Sequence, residues 1–344
     1  MSSSERFYAA LRREKPDRIP ISLWWHAYNL SAGIGFREFA RNGEKMAESH
    51  LAFLSKFKVD FLKVTPCGAY FVEDWGGRLE YLEEEASVRI TDYPVKTTED
   101  WEKLEVLDPK RARLHREQVK CLRIIKNKIG KTIPFLETIF NPLTTATKLA
   151  GDHQVFSDMR ENPSALKRGL QTITETLSDF AQACLDEGAA GIFYSIKTGS
   201  ADTITPHQFD EFNTPYDMKL LDAMREAEVR MLHLHSEKPG AELLIDKMSS
   251  YPVNAINWWD KGTTLSLRKA KDSLSKKFCL VAGLDHVGTL LKGPDEVERE
   301  VKAAIEMAAQ GGGFMLGPGC TMNAKTPERN IAAALNAATK YGKY

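Results

Sequence analysis

The chain has 344 residues, with 47 Lys plus Arg against 47 Asp plus Glu, so its formal net charge is zero. That balance argues against an electrostatic nucleic-acid binder, because phosphate affinity comes mostly from clustered cations. Apolar residues at 42% and charged residues at 27% describe a globular chain with a sizeable core. No stretch approaches the ~18 continuous apolar residues of a membrane span. The start, MSSSERFYAALRRE, places charge on both sides of a short apolar face and is unlike a secretory signal. Cys67, Cys121, Cys184, Cys279 and Cys320 are too scattered for a disulfide framework, so a reducing cytoplasm is the expected compartment.

Along the chain, short β-branched or apolar runs alternate with amphipathic stretches. Arg18 to Trp25 reads as the first strand and Phe61 to Thr65 as the second. A long gap follows, assigned as an insertion over residues 67–131. Within it RLEYL and SVRIT look like a hairpin, followed by helices around Trp101 and over Arg111 to Lys128. The third strand spans Thr132 to Phe140. Pro163 to Glu187 then carries Leu166, Leu170, Ile173, Leu177 and Phe180 at the three-and-four spacing of one helical stripe.

Ala190 to Ile196 reads as the fourth strand, Arg230 to His235 as the fifth, and Ala255 to Trp259 as the sixth. Thr205-Pro206 and Lys238-Pro239 each read as a helix start, where the missing N–H is harmless. Phe278 to Leu284 and Gly313 to Leu316 complete eight strands, with a striped helix at Pro294 to Gln310 between them. The expected fold is α/β: a single-domain (β/α)8 TIM-type barrel over 1–344, with the insertion between its second and third strands.

In such a barrel, chemistry belongs at the C-terminal strand ends. The fifth strand ends in HLH, and side chains at i and i+2 on a strand point the same way. His233 and His235 can therefore present two imidazoles to one point. Cys320 sits in GPGCT at the end of the eighth strand. Two imidazoles and a thiolate with a fourth position free suit catalytic zinc. The competing readings are two hydrogen-bonded structural histidines and a small buried thiol. Trp24, Trp25, Trp258 and Trp259 also fall at strand ends. Adjacent residues face opposite sides, so one of each pair is expected at the mouth as a substrate wall, with His26 and Tyr194 beside them. Asp260, Glu137 and His286 are candidate acids or bases, although each also fits a capped or salt-bridged structural role. Cys67 is a reserve ligand.

Several segments resemble one superfamily. The stretch from Gly283, GLDHVGTLLKGPDEVEREV, and the later GGGFMLGPGCTMNAKTPERNI resemble the C-terminal third of uroporphyrinogen decarboxylase-like proteins. NPLTTATKLAG and the opening RFYAALRREKPDRIPI are similar to two further segments of that superfamily. The resemblance implies a (β/α)8 barrel and points to one of two branches. True porphyrinogen decarboxylases carry an arginine-rich segment after the first strand; this chain has WWHAYNL there. The other branch holds zinc-dependent methyltransferases that act with corrinoid proteins. Its ligands are usually H-x-C plus a cysteine in a turn like GPGC. His233 and Cys320 match, and His235 replaces a cysteine. The resemblance thus implies methyl transfer, including O-demethylation, between a small methylated compound and a corrinoid carried by a partner protein, with zinc as the metal. The alternatives are a decarboxylase of a tetrapyrrole or related acid, and a non-catalytic corrinoid-binding barrel.

Overall fold

The structure is a computed structural model that describes all 344 residues. Its centre is a curled parallel sheet. The strands in chain order are β1 (Leu62–Val64), the hairpin strands β2 (Arg78–Leu82) and β3 (Ser87–Asp92), and then β4 (Phe135–Phe140), β5 (Gly191–Ile196), β6 (Val229–Leu234), β7 (Ala255–Trp258), β8 (Cys279–Leu284) and β9 (Phe314–Pro318). The parallel sheet runs β1-β4-β5-β6-β7-β8-β9, and β2 pairs only with β3. Within the parallel sheet the strands lie side by side in chain order.

The expected first strand does not form as a regular strand. Residues 20–22 are extended and bond to both edges of the sheet. Leu316 donates to the Pro20 carbonyl, Ser22 donates to the Leu316 carbonyl, and Asp60, just before β1, donates to the Ile21 carbonyl. Pro20 has no N–H to give, so the ladder on that side is short. The buried Asp60 carboxylate fixes this seam, accepting from Arg6 at 2.6 Å, from Arg18 at 2.8 Å and from the Ile21 N–H at 2.9 Å.

Strand parity divides the core. On the concave face, Phe61, Leu136, Phe193, Val229, Met231, Ala255, Val281 and Met315 form a small cluster with Trp24. Helix Ser3–Leu11 closes its base with Phe7, Ala10 and Leu11. Phe7 and Phe61 lie 4.9 Å apart between ring centroids. These partners sit at strand starts, so the helix seals the N-terminal end. The outer face packs against the crossover helices through a much larger apolar cluster. The long stripe helix spans Pro163–Asp186, with Leu166, Leu170, Ile173, Leu177 and Phe180 buried. The last crossover helix is Pro294–Ala308.

Thr205-Pro206 opens a helix, Pro206–Phe212, with the Thr205 hydroxyl accepting from the Gln208 N–H. Lys238-Pro239 does not. Gly240 takes φ +81° and donates to the Gly262 carbonyl, tying this loop to the one after β7. A left-handed residue there stops a helix before it starts. No helix is long and apolar enough to cross a membrane.

Candidate functional site

A cavity of about 450 Å³ opens at the C-terminal ends of the strands. Its floor and walls include Trp24, His26, Lys63, Thr65, Thr138, Phe140, Phe193, Ser195, His233, His235 and Cys320. Most of these are the next inward positions above the apolar cluster: Lys63 follows Phe61, Thr138 follows Leu136, Ser195 follows Phe193, and His233 follows Met231. The hairpin forms another wall, through Ser87 to Ile90.

His233, His235 and Cys320 meet in this cavity, with one ligand atom from each within 4.8 Å of the others. His233 is buried, and its Nδ1 lies 2.7 Å from Asn257 Oδ1. The Asn257 amide nitrogen donates to the carbonyls of Val281 and Pro318, so its oxygen is the end facing the imidazole. Nδ1 of His233 therefore carries the proton, and Nε2 is left with a free lone pair. His235 places Nδ1 at 3.2 Å from Cys320 Sγ and Nε2 at 3.1 Å from a Glu237 carboxylate oxygen.

Burial raises the Cys320 thiol, but the His235 and His233 imidazoles outweigh it and hold the thiol well below its usual range. Burial lowers His235; the Cys320 thiolate and Glu237 oppose it and bring the ring up to about 10. Glu237 falls to about 2 through its hydrogen bond with His235. His233 is lowered by burial. A thiolate between two imidazoles, each oriented by an outer partner, is a donor set able to hold a metal ion.

The other anticipated residues divide. Trp24 lines the cavity floor, edge-on to Phe193 at 5.5 Å. His26 lines it too, with Nε2 at 2.7 Å from the Ala86 carbonyl. Burial pulls the His26 pKa down to about 4. Trp25 turns the other way, against Tyr28, and donates to the Asn323 carbonyl. Trp258 faces the outer core and donates to Leu265. Trp259 leaves the strand at a turn, donates to Asp285 and meets His286 edge-on at 5.5 Å. Neither member of that second pair lines the cavity.

Tyr194 also faces outward, donating to the buried Asp217 at 2.6 Å. Glu137 lies between Leu136 and Thr138, which face inward, so it points to the helices; both its oxygens are buried without a partner. Burial raises its pKa well above the ordinary value. Asp260 is buried beside the cavity rather than in it. It accepts from the Gly283 N–H at 3.1 Å and lies 3.3 Å from the Lys261 ammonium. His286 and Cys67 stand apart from the cavity lining, and burial drives the Cys67 thiol up to about 12.

Asn257 was noted at the end of the sixth strand but given no role, and Lys63 was passed over. Lys63 is 6% exposed and lies 4.6 Å from the Phe193 ring centroid. Burial lowers its pKa to about 8. The signal was there: a lysine inside FLKVT, a strand buried on both faces.

A curled parallel sheet with its polar groups gathered at the strand ends defines an α/β protein with a barrel-type site. The family model for uroporphyrinogen decarboxylase (URO-D) matches residues 2–341, and the chain belongs to that family. It is 25% identical to a methylcobamide:CoM methyltransferase, MtbA, of Methanosarcina acetivorans, over 98% of this chain and 97% of the relative. It is 23% identical to a uroporphyrinogen decarboxylase of Synechocystis, over 70% and 68%. Among solved structures, a methyltransferase from Methanosarcina mazei matches with a TM-score of 0.87 at 22% identity, covering 99% of both chains.

Proposed function

We propose that this chain is a zinc-dependent methyltransferase that moves a methyl group between a small methylated compound and a corrinoid carried by a partner protein. The reading takes the barrel as closed through residues 20–22, with 67–131 as an insertion that walls the site. The meeting of His233, His235 and Cys320 in one cavity carries it. The likeness to methylcobamide:CoM methyltransferases supports the corrinoid half. Unpaired cysteines throughout fit a reducing cytoplasm.

His233 Nε2, His235 Nδ1 and Cys320 Sγ would hold the zinc. When bound, zinc supplies Lewis acidity, making an ether oxygen a better leaving group or a thiol more acidic. The protein does the rest. Asn257 and Glu237 hold the imidazoles in position. Trp24, Phe140 and Phe193 give the substrate an apolar seat. In O-demethylation these residues would seat the ether so that the partner's reduced corrinoid could accept the methyl group, with the oxygen keeping the pair of the broken carbon–oxygen bond.

Metal analysis tests this directly. The purified protein should hold about one zinc per chain, and Cys320→Ser should lose most of it together with formation of the methyl-cobalt spectrum. Full methyl transfer by metal-free protein would overturn the reading. Decarboxylation of uroporphyrinogen is disfavoured by the fate of the arginines. Arg230 donates to carbonyls of Pro252, Met224, Arg225 and Ala227 at the opposite end of the sheet, and Arg37 lies over Tyr81. Neither these nor Arg78 reaches the cavity lining; Arg89 does, but it is engaged by Glu80 at 2.8 Å.

A further inference from the structure

The cavity holds more positive charge than its carboxylates balance. Four cations line it: Lys63, Arg89, Lys148 and Lys197. Two of them are paired, Arg89 with Glu80 at 2.8 Å and Lys197 with Asp152 at 3.2 Å. Lys63 and Lys148 have no carboxylate partner. The Lys63 ammonium is buried, with a hydroxyl contact to Thr65 at 3.3 Å and the face of Phe193 beneath it. A hydroxyl and a ring face offset part of the desolvation, but neither carries a charge. Glu237, the one acid in the lining, is already engaged by His235. A divalent metal on a single thiolate would add further positive charge.

Resting on the methyltransfer reading, we propose that the small molecule which exchanges the methyl group is an anion with an apolar body, and that Lys63 and Lys148 receive its oxyanion. The metal ligands and the two lysines lie on walls of one cavity, so a single molecule can span them. Phe140 and Phe193 supply apolar walls between. The pairing explains why a lysine occupies the position two residues above Phe61, on a strand where every other residue is apolar or hydroxylated. A buried ammonium without a paired carboxylate is costly, and a ligand oxyanion would offset that cost.

The probe pair is 4-methoxybenzoate and its neutral isostere 4-methoxybenzamide, titrated into the zinc-loaded protein with the heat of binding as readout. The acid should bind wild type at least about tenfold tighter than the amide, the size of one charge-assisted hydrogen bond. Lys63→Met should erase most of that preference while zinc content stays near one per chain. Replacing a buried charge with an apolar chain of similar length should leave the fold intact, as a melting curve checks. Should that variant fail to fold, Lys148→Met carries the same test. Equal binding of acid and amide, no binding of the acid, or a preference that survives Lys63→Met would overturn the proposal. Loss of zinc from wild type would instead strike the methyltransferase reading, so the two failures are distinguishable.

Discussion

The two ends of the concave face are built from the same strands and differ in every chemical respect. Near the strand starts, Phe61, Leu136, Phe193, Met231 and Val281 pack against Phe7 with no polar group among them. One pleat further on, the same strands present Lys63, Thr138, Ser195 and His233. A strand repeats its facing every second residue, so a step of two moves the side chain up the barrel without turning it away. The lower layer stabilises by excluding water. The upper layer contains groups that an apolar interior would penalise, and the lower layer is what holds them in place.

The largest expected effect separates the layers by truncating the lower one. Phe61→Ala should destabilise the fold by about 3–5 kcal/mol, the usual range for a buried phenylalanine. Chemical denaturation measures it. Zinc content of the folded fraction should not change, because Phe61 touches no ligand. A loss below about 1 kcal/mol would mean that the helix Ser3–Leu11 does not depend on this contact.

The next variant acts on the upper layer alone. Asn257→Ala removes the acceptor that fixes the His233 proton on Nδ1, leaving the ring free to turn or change tautomer. Outer partners of metal-bound histidines are typically worth 10–100-fold in metal affinity. Competition with a chromophoric chelator should show a loss of that size; stability should also fall, by about 1–3 kcal/mol, because the Val281 and Pro318 carbonyls lose their donor. Unchanged affinity would show that packing by Phe193, 4.9 Å away, is enough to hold the ring.

The sequence allowed the layers to be drawn but not always assigned. Seven of the anticipated strands form within a few residues of their expected bounds, because buried parallel strands read as short apolar runs. The meeting of His233, His235 and Cys320 was legible because HLH carries its own spacing and GPGC its own turn. The tryptophan pairs were not, since adjacency says that one faces inward without saying which. Trp24 points in because it shares the parity of Ser22, whose hydroxyl reaches the Phe61 carbonyl. Trp259 escapes parity altogether, because β7 ends at Trp258 and the chain turns. Glu137 misled for the opposite reason. A carboxylate at a strand end reads as catalytic, yet its neighbours on either side already occupy the inward positions. Lys63 was overlooked although its oddity is visible in the bare string FLKVT.

The smallest effect concerns protons in the wall behind the cavity. His50, on the helix Gly43–Lys56, is buried and accepts the Thr65 N–H at Nε2, 2.9 Å away. Protonation would replace that lone pair with a second donor. Burial, followed by repulsion from Lys63 and His26, pulls its pKa from 6.5 down to about 3. The folded state thus takes up this proton only at low pH, whereas the unfolded chain takes it up near 6.5. Stability is unaffected above pH 6.5 and falls as pH drops from there toward 3, by up to about 1.4 kcal/mol per pH unit from this group. His50→Gln keeps an acceptor for Thr65 and does not titrate. Between pH 6.5 and 4.5 the wild type should therefore lose stability more steeply than the variant by roughly that slope, while the two stay parallel above pH 7. Other groups, such as Asp217, whose pKa is raised by burial to about 6, contribute equally to both proteins and cancel in the difference. Parallel curves across the whole range would mean that the Thr65 N–H does not keep His50 neutral, and that the polar layer reaches solvent at its rear wall.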